Sequence, residues 1–386
     1  MGASGIAERA AVVGVGATPL TRSSGRTVLA LAAEASRAAL ADAGTAPDEV
    51  DAILSYHLGD SAPATDLARE LGLTRLGWHN DMHGGGTQCA SILGDAAMLV
   101  ATGQASTVLV HRSLNGRSGR RMTGLGLRQG EGVEEQFPLP YGLAGPVAQF
   151  ALVARRYLHD AGLGERDLAA VVASSRAQAA GNPRAMRRGP LPWEDYLREP
   201  VIAEPLRRAD CCQEADGACA LVVTGARRPV AEGAPRIRAV VRGGRPGLSR
   251  LDRSPDPGAV FSAEIAPRLY AAAGMRPAHV DTAYLYDAYS FLVPRQLADF
   301  GLVEPGEMAR VLRSGGITAP GAPAAGGVPV NPHGGLLSEG YVHGLNNVAE
   351  AVRELRGDGA GRLPGASVAL CTGFGGAYGS AALLVR

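Results

Sequence analysis

The chain has 386 residues, a formal net charge of +1 and 46% hydrophobic residues, enough to bury a sizeable core. That balance gives no electrostatic footprint for nucleic acid, and no apolar run reaches the roughly 18 residues of a membrane span. The opening MGASGIAERAAVVGVG sets Glu8 before the first apolar run and lacks a basic signal-peptide region, so a cytoplasmic protein is expected.

All 38 basic side chains are arginine. Without a lysine amine there is no Schiff-base chemistry, no pyridoxal-phosphate anchor and no Walker-type phosphate lysine. The five cysteines are Cys89, Cys211, Cys212, Cys219 and Cys371, odd in number and scattered, which reads as free thiols. Cys211, Cys212 and Cys219 lack the paired CxxC spacing of a zinc site.

In chain order, the early stretch GVGATPLTR forms GxG without the third glycine of a dinucleotide fingerprint. Residues 28–56 then read as an apolar-periodic helix, Ala43-Gly44, Pro47, Val50-Asp51 and a strand. The spacing predicts a helix ended by glycine in the left-handed region, a proline-started turn and a strand. HNDMH follows, a strand that puts His79, Asp81 and His83 on one side. That spacing can ligate zinc, although it also occurs as a hydrogen-bonded strand end, and no metal is assigned. HGGGTQC from His83 then starts a long helix that leads to a strand at 105–111.

The Gly- and Arg-rich stretch 113–147 and residues 181–200 lack apolar periodicity and are expected to form an inserted loop region, the usual place for a substrate lid. Between them, residues 160–175 read as a partial third helix-turn-strand. The strand-like ADGACALVVTGA closes the first half.

Residues 258–286 repeat the early pattern: a helix, Ala273-Gly274, Pro277, Val280-Asp281 and a strand, at identical spacing. HGGLLSEGYVHGLNN from His333 matches HGGGTQC, with a long helix and a closing strand at 366–371. Two duplicated α/β halves with mixed sheets are expected, 1–235 and 236–386, the insertion occupying about 113–200.

Four motifs carry a resemblance that covers nearly the whole chain. ADGACALVVTGA, YLYDAYSFLVPRQLADFGL, NPHGGLLSEGYVHGLNN and ALCTGFGGAYGSAALLV follow one another as do the strand entering the second half, the HD segment, the NPSGG…GHP loop and the Gly-rich end of the thiolase fold. The sequence resembles sterol-carrier-protein-type thiolases and the lipid-transfer-protein group of that superfamily. The resemblance places Gly86 where a thiolase has its nucleophilic cysteine, with Cys89 one helical turn further in. Tyr341 stands for the GHP histidine, Tyr286 for the HD histidine, and Cys371 lies near the acid/base cysteine.

Losing the nucleophile and both histidines argues against acyl transfer. It is similar to the lipid-transfer-protein aldolases, which cleave a β-hydroxyacyl-CoA, including a steroid side chain, by retro-aldol reaction beside an OB-fold/zinc-ribbon partner. A homodimer is implied, and no cofactor beyond the CoA of the substrate.

Such cleavage needs a proton acceptor for the β-hydroxyl and donors for the thioester enolate. Tyr341 and Tyr286 are expected to share the proton work. His343, or the helix start after Gly344, would lower a phenol whose ordinary pKa is about 10. Donors are expected from amides at Gly84–Gly86 and Gly373–Gly376, with Gly86, Gly375 and Gly376 against the substrate, and from His343. Asp287 completes the substrate-binding set, more as an orienting group than a proton carrier. His83 and His333 are expected to bond local backbone. Two other readings stay open: an acyltransferase or condensing enzyme using Cys89 or Cys371, and a non-catalytic lipid-binding subunit.

Overall fold

The computed structural model describes residues 5–119, 139–143, 145–246, 254–319 and 322–386. Part of the expected lid, 120–138 and 144, lies outside them. The first strands and helices are β1 (Ala10–Ala17), α1 (Val28–Asp42), β2 (Ala52–His57), α2 (Ala64–Glu70), β3 (Trp78–His83), α3 (Ser91–Ala101) and β4 (Thr107–Asn115). Then come α4 (Gly145–Ala161), α5 (Glu165–Ala179), α6 (Trp193–Arg198), the short strands β5 (Val201–Ala203) and β6 (Leu206–Arg207), and β7 (Asp216–Gly225). The rest holds β8 (Arg236–Gly244), α7 (Ser262–Ala273), β9 (Thr282–Tyr284), α8 (Leu292–Asp299), α9 (Met308–Arg313), α10 (Gly335–Ser338), α11 (Leu345–Arg356), β10 (Val368–Phe374) and β11 (Tyr378–Val385).

Nine strands form one mixed sheet in the order β3-β2-β4-β7-β1-β8-β11-β10-β9. It consists of two runs with the same internal plan. In the first, β1 pairs antiparallel with β7, β7 antiparallel with β4, and β4 parallel with β2. In the second, β8 pairs antiparallel with β11, β11 antiparallel with β10, and β10 parallel with β9. β3 lies parallel outside β2, and Val330 pairs parallel with Ala283 of β9 in the matching place. The runs meet at a single registered pair, Ala11 with Arg236.

The repeated sequence signals have repeated physical jobs. Gly44, one residue past the Ala43 cap of α1, and Gly274, the cap of α7, take φ of 59° and 63°, values that cost a residue without Cβ little. Asp51 accepts the amides of Ser106 and Thr107 at the start of β4 (2.9–3.0 Å). Asp281 accepts those of Ser367 and Val368 at the start of β10 (2.8 and 2.9 Å). The Val-Asp of each half therefore ties its own strand to the next. The GVG glycines serve packing: a Cβ on Gly16 would lie 2.0 Å from the Ala35 carbonyl of α1.

α3 packs on β7 and β4 and reaches β8 and β11, while α11 packs on β10 and reaches β1 and β7. Each half's second helix thus crosses onto the strands of the other, and the starts of both helices meet near the seam. α1 covers the opposite face of the first run, where Leu31, Ala35, Ala39 and Leu40 face Ala218, Ala220 and Val222. None of the described helices is long and apolar enough to cross a membrane.

Two expectations in the insertion are corrected. The strand expected near 168–175 is helix α5: the Asp167 carboxylate accepts the Gly164 amide (2.9 Å), which starts a helix, and Leu168, Val171, Val172 and Ser175 fall on its buried side. The loop expected over 181–200 carries α6, started after Pro192 with Glu194 and Asp195 in its first turn.

Asp51→Ala and Asp281→Ala are expected to destabilise the fold by about 1 kcal/mol each through the lost amide bonds, and to add when combined. Thermal unfolding of the two single variants and the double variant measures this.

Candidate active site

The site forms where the two helix starts converge. Gly86 opens a short turn, residues 86–88, that runs into α3. Opposite it, the chain leaves β9 through Tyr286 and Asp287, and the loop between α10 and α11 brings in Tyr341 and His343. All four of these side chains are at most 3% exposed.

A Cβ placed on Gly86 would lie 2.1 Å from both Cζ and the phenol oxygen of Tyr286. The tyrosine ring therefore occupies the space that a side chain at residue 86 would need. Its backbone is fixed on both sides. The Tyr286 amide donates to Thr372 Oγ1 (2.8 Å) and its carbonyl accepts from Gln296 Nε2 (3.0 Å). The Thr372 hydroxyl in turn donates to Gln296 Oε1 (2.6 Å).

The two phenol oxygens of Tyr286 and Tyr341 are 2.7 Å apart, with the rings edge to face at 81°. Tyr341 also meets the His343 ring, centroids 4.8 Å apart. Burial pushes both phenols well above their ordinary pKa, and for Tyr341 the neighbouring Cys212 adds to the rise. This corrects the expectation that His343 would lower Tyr341. Burial first, then the Arg112 guanidinium, drops the His343 pKa to about 3. The imidazole is neutral and stabilises no phenolate by charge. Both tyrosines rest as neutral phenols.

Arg112 is a residue that reading the sequence missed. It is 0% exposed on β4, and its Nε donates to His343 Nδ1 (3.1 Å). Its Nη2 donates to Asp60 Oδ1 (2.7 Å), and Tyr56 donates its hydroxyl to the His343 carbonyl (2.9 Å). The signal was present: a lone arginine inside the apolar strand TVLVHRSLN is costly to bury without a task.

The expected donors divide. The Gly84 amide is spent on the His57 carbonyl (2.9 Å) and the Gly375 amide on the Tyr378 carbonyl (3.0 Å). Gly375 and Gly376 form the β10–β11 turn, Gly376 at φ 88°. Among the described residues, no acceptor takes the amides of Gly85, Gly86 or Thr87. His343 Nε2 is likewise buried without a partner.

Asp287 is enclosed, and its carboxylate accepts the amides of Leu336 (2.9 Å) and Leu337 (3.3 Å) in α10. Burial raises its pKa to about 6 despite those bonds. His333 departs from expectation: its Nε2 meets Asn347 Oδ1 (3.1 Å), a side chain and not local backbone. Of the strand HNDMH, Asp81 accepts the Ala64 amide at the start of α2 (3.0 Å). Among the described residues no cluster of three or more His, Cys, Asp or Glu is placed to hold a metal ion.

The thiols are not set up for covalent work. Cys89 and Cys371 are 0% exposed, Cys89 Sγ points at the Thr372 carbonyl (3.4 Å), and burial pushes both far above the ordinary thiol range. A nucleophilic cysteine needs the opposite, an electropositive surrounding that lowers its pKa.

Beside the tyrosines lies a cavity of about 360 Å³, lined by Arg22, Arg117, Arg176, Arg187 and Arg208. Residues 211–214 line it too and run alongside the phenol segments, Glu214 pairing with Tyr341 and Cys211 with Tyr289. Arg208 is bonded to Glu199 (2.7 Å) and Arg187 to Gln213 (2.8 Å). Arg176 is only 7% exposed, yet its Nε has no partner among the described residues. Burial, then repulsion from Arg187, lowers its pKa to about 10.

Fold and site together define a thiolase-fold protein with a buried phenol pair, Tyr286 and Tyr341, packed against the turn at Gly86. The thiolase C-terminal domain-like family model matches residues 249–386. The chain is 41% identical to a 17-hydroxy-3-oxo-4-pregnene-20-carboxyl-CoA lyase of Mycobacterium tuberculosis, over 94% of this chain and 96% of that protein. It is 37% identical to a steroid side-chain-cleaving aldolase of Thermomonospora curvata, over 90% of each. The solved Ltp2-ChsH2(DUF35) aldolase superposes with a TM-score of 0.90 at 33% identity, covering 99% of both chains. Human mitochondrial 3-ketoacyl-CoA thiolase shares the fold at a TM-score of 0.71 and 15% identity, with 98% of each chain covered. The chain belongs to the thiolase-like aldolases, the carbon–carbon lyases of the thiolase superfamily.

Gly86→Ala is expected to force the Tyr286 ring out of place and lower lyase turnover by about 10²–10⁴-fold, the scale of losing an acid/base group. Turnover measured beside the melting curve of the same variant separates this from unfolding.

Proposed function

We propose that this chain cleaves the bond between a hydroxyl-bearing steroid ring carbon and the α-carbon of a CoA-thioester side chain, by retro-aldol reaction. The observation that carries the reading is the phenol pair of Tyr286 and Tyr341 in the space of a side chain at Gly86. As the carbon–carbon bond breaks, the substrate hydroxyl hands its proton to one phenol while that phenol passes its own to its neighbour and the neighbour gives one to the α-carbon. This leaves a ring ketone and a shortened thioester, with enolate charge developing on the thioester oxygen during the relay. Protons balance, and neither phenol has to stay ionised, which suits groups whose ionisation burial disfavours. The enolate oxygen is held by the unpartnered donors at Gly85–Thr87 and His343.

The arginine cavity supplies the second half of the reading. A nearly buried guanidinium whose Nε has no hydrogen-bond partner among the described residues is costly until an anion arrives. The phosphates of a CoA thioester are that anion, and Arg176, with Arg187 beside it, receives them. A small DUF35-type partner, as in the Ltp2-ChsH2 aldolase, completes the substrate site. Two copies associate along β3, whose outer edge carries no strand among the described residues and whose Trp78 is 42% exposed.

With the partner protein present, Tyr341→Phe and Tyr286→Phe are each expected to lower turnover of a β-hydroxyacyl-CoA by about 10²–10⁴-fold. Release of ketone and acyl-CoA, followed by chromatography, reads this; an unchanged rate in Tyr341→Phe removes the proton-transfer assignment. Arg176→Met is expected to raise KM for the thioester by about tenfold, the weight of one charged hydrogen bond, while kcat holds. The same substitution removes an unpaired buried charge, so the melting temperature of the free protein is expected to rise.

A further inference from the structure

His343 has a single chemical state open to it. Its Nδ1 faces Arg112, and a guanidinium has donors only, so Nδ1 must accept. A neutral imidazole that accepts at Nδ1 carries its proton at Nε2. Among the described residues Nε2 is buried without a partner, and it lies 3.3 Å from the place of a Cβ on Gly85, on the same glycine shelf that receives the Tyr286 phenol. A buried N–H without an acceptor costs about 1–3 kcal/mol, so the fold keeps a donor here that only an incoming oxygen satisfies.

We propose that Arg112, anchored by Asp60, locks His343 as a neutral Nε2–H donor to the enolate oxygen of the thioester. His343 is then a catalytic residue and Arg112 its positioning residue. The assignment rests on the retro-aldol reading for the identity of the oxygen, but not for the tautomer.

The parts of the lock come from separate elements. β4 supplies Arg112, whose Nη1 also donates to the Ser113 carbonyl (2.6 Å), so the guanidinium cannot swing away. The segment after β2 supplies Asp60, whose side chain is 19% exposed and bonds to Arg112 Nη2. β2 supplies Tyr56, which holds the His343 backbone at φ 48°, a left-handed conformation that histidine tolerates better than most residues. The other titratable neighbours are Tyr341, whose ring meets the imidazole, and Tyr286 and Cys89 against Gly344. All three are buried groups held neutral. Asp60 is the one carboxylate of the set, and it spends its charge on Arg112. An imidazolium beside that guanidinium would be repelled and desolvated at once.

The alternative task, lowering the pKa of Tyr341, requires a charged imidazolium and predicts a different protonation state. The two are separable by experiment. Selective ¹⁵N-histidine labelling of the complex, with the eight histidines sorted by a His343→Gln spectrum, reads the tautomer directly. The expected result is a neutral Nε2–H ring that does not titrate between about pH 5 and 9, where a free imidazole titrates near 6.5. An Nδ1–H ring, or a titration in that window, overturns the assignment whether or not the enzyme is active.

Kinetics give the second arm. His343→Phe is expected to lower kcat by about 10²-fold, as for one lost oxyanion donor, with KM near that of the parent. His343→Gln, whose Nε2 can donate from a similar place, is expected to restore a large part of that loss. Arg112→Gln removes the donor that fixes Nδ1, and the labelled complex is expected to show an Nδ1–H population that the parent lacks, with kcat lowered. Equal losses in the His343 Phe and Gln variants, or a wholly Nε2–H ring in Arg112→Gln, defeat the proposal. If Arg112→Gln does not fold, the His343 pair and the parent spectrum still decide. If the parent cleaves no β-hydroxyacyl-CoA while the ring shows the expected tautomer, the retro-aldol reading fails and the lock stands.

Discussion

The molecule is organised around the meeting of two helix starts that belong to different halves of the sheet. Each run of strands delivers one long helix across the seam onto the other run, so the turns at Gly86 and at Gly344 face one another. Neither turn makes a site alone. The Asp51 and Asp281 ties hold the strands that carry them, and the close approach of α1 to β1 over Gly14 and Gly16 keeps the first run rigid behind them. Everything chemical is placed by this convergence. Unclaimed amides come from one turn, while a phenol and an imidazole come from the other.

Burial gives the centre its character. A thiol in this environment is held protonated, which suits it poorly to covalent acyl transfer. A phenol is held protonated too, but two phenols in contact can still relay a proton. A histidine is held neutral and, through Arg112, given a fixed direction. The same desolvation that disables Cys89 as a nucleophile makes a single N–H worth more to a developing oxyanion. The arginine cavity shows the converse case, a nearly buried guanidinium whose Nε has no hydrogen-bond partner among the described residues and whose charge Glu199 only partly offsets.

Much of the frame was legible in residues. The Ala-Gly, Pro, Val-Asp repeat reported the duplicated strand plan because each signal does local work: a left-handed cap, a turn start, a strand tie. Gly86, Tyr286 and Tyr341 could be placed from motif order alone. What stayed hidden depended on distant partners. α5 was mistaken for a helix-turn-strand because LAAVVAS has the β-branched, apolar look of a strand. Its helical start lies instead in the bond from Asp167 back to Gly164. The direction of the tyrosine shift could not be read, since it follows from enclosure by chain more than 50 residues away in sequence. Arg112 was hidden for the same reason. His333 turned from the backbone to Asn347 because α11 brings that amide within reach.

The overlap of Tyr286 with the space of a side chain at Gly86 has a consequence for how such a site can change over time. The two positions lie in different halves, 200 residues apart in sequence, yet share one small volume. A side chain gained at 86 while the ring remains at 286 has nowhere to go. A ring lost from 286 while 86 stays bare leaves a void and a lone phenol at Tyr341. A path between covalent and phenol-based chemistry on this fold therefore cannot proceed by independent single steps. It passes through a paired exchange, which makes the two residues a single heritable character written in two places.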